Sequence, residues 1–264
     1  QAAEPKSAAQ MNADAGAVHY YTRGDMGTIY LTDGQVIPET VTNWAGYILG
    51  VTNWAASTLV LNGVWLGLGS AGLPTQCVLT CSGNLLFTNS SRLDVFCGAT
   101  NSDWTNYGAR IAVGSNLVMA TNCWLYPVSH PANGGSAWLD VSNLTVAASA
   151  GVSADEGGFA FGYGPGRGKA SRTGGGYGGR GQGYSAGNGG DTYGSAAAPA
   201  DPGSPGYDEG NGRGRGGGLV RIVAVDTVTV NGTLSANGQD VGNYAGAGAG
   251  GGIYLYCRTL AGLT

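Results

Sequence analysis

Large apolar residues alternate with small or polar ones in short runs, and the runs come in pairs separated by a bend. Residues 84–96 read NLLFTNSSRLDVF, 116–126 read NLVMATNCWLY, 143–154 read NLTVAASAGVSA and 227–237 read TVTVNGTLSAN. An earlier stretch, TLVLNGVWLGLG at 58–69, has the same outline. Period-two alternation is the strand signal, and Asn, Gly and Ser at the bends are turn residues. The starts at Thr58, Asn84, Asn116 and Asn143 lie about 26, 32 and 27 residues apart, a spacing of stacked repeats. A coil of this length cannot bury its inner face alone; stacking coils about 4.8 Å apart creates the core. The pattern therefore predicts an all-β chain, a right-handed parallel β-helix (β-solenoid), with a β-sandwich or jelly roll as the competing architecture. In this register the NL and TV starts lie over one another. VLTCSG (78–83) and IYLYCRT (253–259) become comparable strands, with Cys81 and Cys257 inside.

The next start, Thr227, comes about 84 residues after Asn143, and most of the excess is the Gly-rich tract. Because the pattern resumes beyond it, the tract reads as an insertion into one coil. The expected organisation is an N-terminal extension (1–27) serving as an intersubunit arm, solenoid coils (28–156), a Gly-rich insertion (157–218) and continuing coils (219–264). Polyglycine segments with about three residues per turn pack side by side because Gly lets backbones approach closely. Tyr177, Tyr184, Tyr193, Arg180 and Arg213 are the candidate anchors of such a lobe.

Composition narrows the function. The 264 residues include 51 Gly and only 11% charged residues, with a net charge of -4 and a pI near 5.0. A polyanion binder needs a basic footprint, so nucleic acid is not an expected partner. Low charge with abundant Asn, Ser, Thr, Gly and Tyr fits a secreted or cell-surface β protein. No apolar run approaches the length of a membrane span, and QAAEPKSAAQ has the form either of a mature terminus or of an arbitrary boundary. Five cysteines are an odd number. Most read as small buried hydrophobes, one disulfide between close ones being the alternative. With His19 and His130 the only histidines, no metal site or cofactor is expected.

Candidate chemistry is thin. GYGPGRGKAS (162–171) fails the phosphate-loop pattern at Tyr163 and Ala170. GGRGQG and GRGRGGG, with Arg180, Arg213 and Arg215, resemble RGG boxes, but Asp191, Asp201, Asp208 and Glu209 share the tract. Arg23-Gly24-Asp25 is a short adhesion tripeptide, and Asn89, Asn143 and Asn231 open weak glycosylation sequons. Polysaccharide cleavage would draw on Arg92, Asp94, Asp140, Asp155 and Glu156, of which Asp155 and Glu156 are the best acidic pair. Trp44, Trp54, Trp65, Trp104, Trp124 and Trp138 are candidates for stacking on sugar rings. The repeated TNWA at Asn43-Trp44 and Asn53-Trp54 suggests a hairpin or an interface patch.

NLTVAASAGVSADEGGF, the Gly/Tyr/Arg tract, GGGLVRIVAVDTVTVNGTLSANG and GAGGGIYLYCRTLAG together resemble secreted bacterial β-helix proteins of the autotransporter and adhesin type. The Gly-rich part is distantly similar to the glycine-rich extracellular region of the anaplastic lymphoma kinase family. The resemblance covers about residues 80–264. It implies a surface or matrix component without assigned activity, and an ordered polyglycine lobe beside a β core. GGIYLYCRTLAGLT stops in mid-coil without a polar cap, and an uncapped coil is a template for association. The leading expectation is a secreted, non-enzymatic subunit that self-associates head to tail in a fibre, sheath or adhesin. Trp44, Trp54, Tyr254, Tyr256 and Leu260 are its assembly candidates. The alternatives are a β-helix that binds or cleaves carbohydrate, with extracellular glycans as partners, and a ligand-binding module of a surface protein.

Overall fold

A computed structural model describes residues 10–14, 25–99, 107–183, 187–207, 214–241 and 245–262. The strands are β1 (Thr28–Tyr30), β2 (Thr40–Thr42), β3 (Ala45–Leu49), β4 (Asn53–Ala56), β5 (Leu59–Asn62), β6 (Trp65–Leu68), β7 (Val78–Cys81), β8 (Leu85–Thr88) and β9 (Arg92–Phe96). They continue as β10 (Ala109–Met119), β11 (Trp124–Val128), β12 (Ala137–Val146), β13 (Gly151–Ser153), β14 (Leu219–Ala224), β15 (Thr227–Val230), β16 (Thr233–Ser235), β17 (Gly252–Tyr256) and β18 (Thr259–Ala261). Every pairing between these strands is parallel. A first sheet has the order β1-β3-β6-β9-β11-β13-β16, and a second runs β17-β14-β12-β10-β8-β5-β2, with β4, β7, β15 and β18 attached to it. Successive strands visit the first sheet once per coil and the second sheet in two segments, the arrangement that a β-solenoid requires.

The period-two alternation becomes columns of stacked apolar side chains. Leu66, Leu93, Leu125, Val152 and Leu234 form one column inside the first sheet. In the second sheet Leu59, Leu85, Leu117, Leu144, Val228 and Leu260 stand in register, as do Trp54, Leu79, Ile111, Leu139, Ile222 and Leu255. All but the terminal members are fully buried or nearly so. Each such Leu stabilises the fold by about 1.5–3 kcal/mol through area removed from water.

Each bend has its own chemistry. Between the two segments of the second sheet, Asn84, Asn116 and Asn143 stack. The Asn116 backbone N–H and side-chain Nδ2 both donate to Asn84 Oδ1 (3.2 and 2.9 Å), and Thr227 N–H donates to Asn143 Oδ1 (3.2 Å). The corner leading back to the first sheet is tight. It places a residue in the left-handed region on successive coils: Asn43 (φ 55°), Gly63 (62°), Asn89 (53°), Asn122 (62°) and Ser149 (61°). Asn and Gly are the residues that adopt this conformation at least cost.

The third corner, after each first-sheet strand, is open and takes the long connections. The Gly-rich tract enters there, after β13, and a second glycine segment, 236–251, enters at the same corner after β16. Among the described residues neither forms strands; their backbones hydrogen-bond to one another. Gly158 N donates to Gly216 O (2.7 Å), Gly176 N to Gly166 O (2.7 Å), Gly190 N to Gly174 O (3.0 Å), Gly203 N to Gly217 O (2.7 Å) and Gly217 N to Ala249 O (2.9 Å). This backbone bonding reaches past the 157–218 boundary drawn on the sequence and takes in the second segment. Tyr177 is buried and meets Tyr193 edge-on, with ring centroids 5.1 Å apart. The Tyr193 hydroxyl donates to Pro202 O and accepts from Ser204 Oγ (2.9 Å). Arg180 stays at the surface near Asp191 (3.6 Å), which Lys169 also holds (2.7 Å). Tyr184 and Arg213 lie outside the described residues.

Other expectations need correction. Trp44 and Trp54 are core residues, 2% and 0% exposed, not interface residues. The TNWA repeat makes no hairpin, because β3 and β4 belong to different sheets. The described part of the N-terminal extension is bound to its own chain: Ala13 N donates to Ala45 O (2.7 Å) and Ala45 N to Met11 O (3.1 Å).

All five cysteines are free, so the disulfide alternative falls. Cys77, Cys81, Cys97 and Cys123 are buried, and burial pushes the Cys77 thiol up to about 12 and Cys81 to about 11. Iodoacetamide under native conditions is expected to label Cys257 rapidly and the other four only after denaturation, read by peptide mass spectrometry. Rapid labelling of Cys77 or Cys97 would contradict this packing. The folded-state value of Cys77 lies above its ordinary 9.0, so the stabilisation from the neutral thiol is complete below pH 9. It declines between 9 and 12, and the melting temperature is expected to fall over that window.

Candidate functional site

Two columns of side chains stand on the outer side of the first sheet. Ala45, Trp65, Arg92, Trp124, Gly151 and Thr233 make one; Tyr47, Gly67, Asp94 and Tyr126 make the other. Glycine has a specific use here. A Cβ on Gly67 would stand 2.4 Å from Tyr47 Cδ1, and one on Gly151 would stand 2.5 Å from Trp124 Cζ3. The missing side chains let both rings lean onto the neighbouring coil instead of standing off the sheet. Tyr126 stacks against Trp124 (5.9 Å, 22°), and Phe96 meets Tyr47 edge-on (5.6 Å).

Arg92 sits among these rings. Its guanidinium carbon lies 4.2 Å from the Tyr126 centroid and 4.9 Å from that of Trp65. Nε and Nη2 reach the Asp94 carboxylate at 2.8–3.1 Å, and Trp65 Nε1 donates to Asp94 Oδ2 (3.1 Å). Asp94 is only 4% exposed, and these bonds satisfy its charge. Tyr47 donates to Asp25. Burial, helped by that bond, raises the Tyr47 phenol, and burial also raises Tyr126, so both hydroxyls stay protonated donors at neutral pH. The result is a half-buried aromatic face with fixed polar groups between the rings.

The second sheet repeats the device on its outer side. Arg221 lies 3.7 Å from the Trp138 ring and 5.2 Å from Tyr254, while Arg110 pairs with Asp140 (2.6 Å) and approaches Tyr107 (5.9 Å). Cation–π contacts of this kind each contribute about 0.5–2 kcal/mol.

The carboxylates proposed for catalysis are held apart. Asp94 is bound by Arg92 on the first sheet and Asp140 by Arg110 on the second. Asp155 accepts from Ser235 Oγ (2.9 Å) and Asn237 N (2.5 Å), tying two coils together. Glu156, at φ 55°, follows it in the bend, and nothing brings the two acids onto one groove. Among the described residues no group of three or more His, Cys, Asp or Glu could hold a metal ion. Asp25 is the only described member of the Arg-Gly-Asp tripeptide. Trp104 lies outside the described residues.

Of the assembly candidates left, Tyr254 packs beside Arg221, Tyr256 (62% exposed) faces outward, and Leu260 (63%) is exposed at the end of the inward column on the last coil. The sequence reading named Arg92, Asp94, Trp65 and Trp124 but not Tyr47, Phe96 or Tyr126. Their signal was the i, i+2 spacing of Trp124-Tyr126 and of Arg92-Asp94-Phe96 along outward strand positions. No helix among the described residues is long and apolar enough to cross a membrane. No protein-family model, no curated protein and no solved structure matches the chain.

Proposed function

We propose that the chain is a non-catalytic, glycan-binding β-solenoid of a secreted or cell-surface protein, with the outer face of the first sheet as its binding surface. The observation that carries this reading is the pair of rings laid over Gly67 and Gly151. Tyr47 and Trp124, with Trp65 and Tyr126 flanking Arg92, make a row of aromatic surface along the stacking direction, suited to a linear saccharide. Aromatic faces take the apolar faces of sugar rings, and the Asp94–Arg92 pair and the phenols offer hydrogen bonds to hydroxyls. The low charge of the chain and its resemblance to adhesin-type β-helix proteins support the same reading. So does the right-handed coil we assign to it, with the Gly-rich segments packed as polyglycine helices against the open corner.

Affinity electrophoresis through gels containing individual neutral and acidic polysaccharides tests the proposal. At least one polysaccharide is expected to retard the protein, and Trp124→Ala or Trp65→Ala to weaken binding about tenfold or more. Retardation by none, or binding that survives both substitutions, would refute it.

Self-association is the second reading, favoured by Leu260. This residue extends the column that runs from Leu59 to Val228, and among the described residues β18 pairs with β15 alone. Another coil would cover it, whether from a continuation of the same chain or from a second copy. Filaments in negative-stain images that disappear in Leu260→Asp would support the second copy.

A further inference from the structure

The open corner contains a cleft of about 320 Å³ that neither reading uses. Its walls come from the connections after β6, β9 and β11 and from the start of the Gly-rich tract. Pro74, Phe96, Val128, Pro131 and Phe161 make it apolar, and Arg215 is the only charged residue among its described lining. Arg215 is fixed by its backbone, which donates to Gln239 Oε1 (3.0 Å) and accepts from Gln239 N (2.9 Å). Its side chain is different. Nε is buried and has no hydrogen-bond partner, and the guanidinium forms no ion pair among the described residues. Arg92 and Arg110 each hold an aspartate; Arg215 does not. A buried charged donor without a partner is costly and marks a place where an anion is missing.

We infer that this cleft binds a small amphipathic carboxylate, its apolar body lying among Phe96, Val128, Pro131 and Phe161 and its carboxylate on the Arg215 guanidinium. One monoanion matches one guanidinium in charge and in its two-pronged geometry. The volume is at the small end of the range for small-molecule sites, and an apolar wall with one convergent polar group is their usual composition. Desolvation lowers the Arg215 pKa, with the charge of Glu156 opposing it, as expected for a guanidinium whose counter-ion is absent.

The test is calorimetric titration of the full chain with 4-phenylbutyrate and, separately, with 4-phenylbutyramide, at low ionic strength. The acid is expected to bind at least about tenfold more tightly than the amide. Arg215→Gln should abolish that preference and Arg215→Lys retain part of it. Ala160→Leu, which narrows the cleft and leaves Arg215 itself in place, should weaken both ligands and serves if the Arg215 variants fail to fold. Equal affinity for acid and amide, binding of neither, or a preference that survives Arg215→Gln would overturn the inference. So would binding that emerges only in Asp208→Asn/Glu209→Gln, since the chain would then supply its own counter-ion. Trp124→Ala should leave the acid preference unchanged, which separates this site from the glycan face.

Discussion

Gly190→Ala is expected to unseat the Gly-rich lobe, while Gly178→Ala, twelve positions earlier, leaves it intact. A Cβ at Gly190 would stand 1.8 Å from Gly166 O and 2.5 Å from Gly176 N, and neither neighbour is a side chain that can swing away. The same residue donates to Gly174 O and accepts from Gly181 N, so two backbone bonds would have to stretch with the clash. Overpacking of this kind costs about 3 kcal/mol or more where backbone must move. Around Gly178 nothing lies within 4 Å, and its φ is not in the left-handed region. Alanine there only narrows the unfolded ensemble and should be neutral or stabilising by up to about 1 kcal/mol. Hydrogen exchange resolves the two cases. In Gly190→Ala, protection should vanish from 166–190 and persist in β8, β10 and β12. Equal protection of the lobe in both variants would mean that the glycine segments do not pack at this distance.

Trp54→Ala is expected to cost about 3–5 kcal/mol, the range for emptying an aromatic site in a packed core. Trp54 is the largest fully buried side chain and stands in column with Leu79 and Ile111. Its Nε1 is buried with no hydrogen-bond partner among the described residues. Trp54→Phe therefore removes an unpaired donor along with some area, and the two effects offset. Its loss should be well under half that of the alanine variant. Urea unfolding followed by far-ultraviolet circular dichroism measures both. An alanine variant as stable as the parent would return Trp54 to the surface, the place its sequence repeat suggests.

That contrast shows what the sequence carries. The columns under Leu85, Leu117 and Leu144 were legible because period-two alternation and a stackable Asn before each Leu repeat in the chain itself. The aromatic face was not, since its neighbours in space, Trp65, Arg92 and Trp124, are 27 and 32 residues apart and meet only when the register is fixed. TNWA misled for a related reason. A repeat in the letters suggested equivalent sites, but Trp44 lies at the corner before the first sheet and Trp54 in a strand of the second. For the acids, residue type was visible and Arg92 stands two positions from Asp94 on its own strand, yet Arg110 and Ser235 reach Asp140 and Asp155 only through the pairing of strands. The glycines of 236–251 gave no sign that they belong with those of 157–218, because close backbone approach leaves no side-chain pattern to read.

Two connections from successive coils meet in one lobe, and this fixes an order of events during folding. The coils from β3 to β12 are closed by contacts about one repeat apart and can propagate one upon another. The lobe cannot. Gly217 N waits for Ala249 O and Gly175 N for Ala247 O, so strands β14 to β16 must be laid down before the two glycine segments find each other. During vectorial synthesis the first tract has only its own internal bonds and its ends at β13 and β14, and its bonds to the second segment wait until about residue 251 has left the ribosome. The slowest-forming part of the molecule is then the part whose residues have no side chains to guide it.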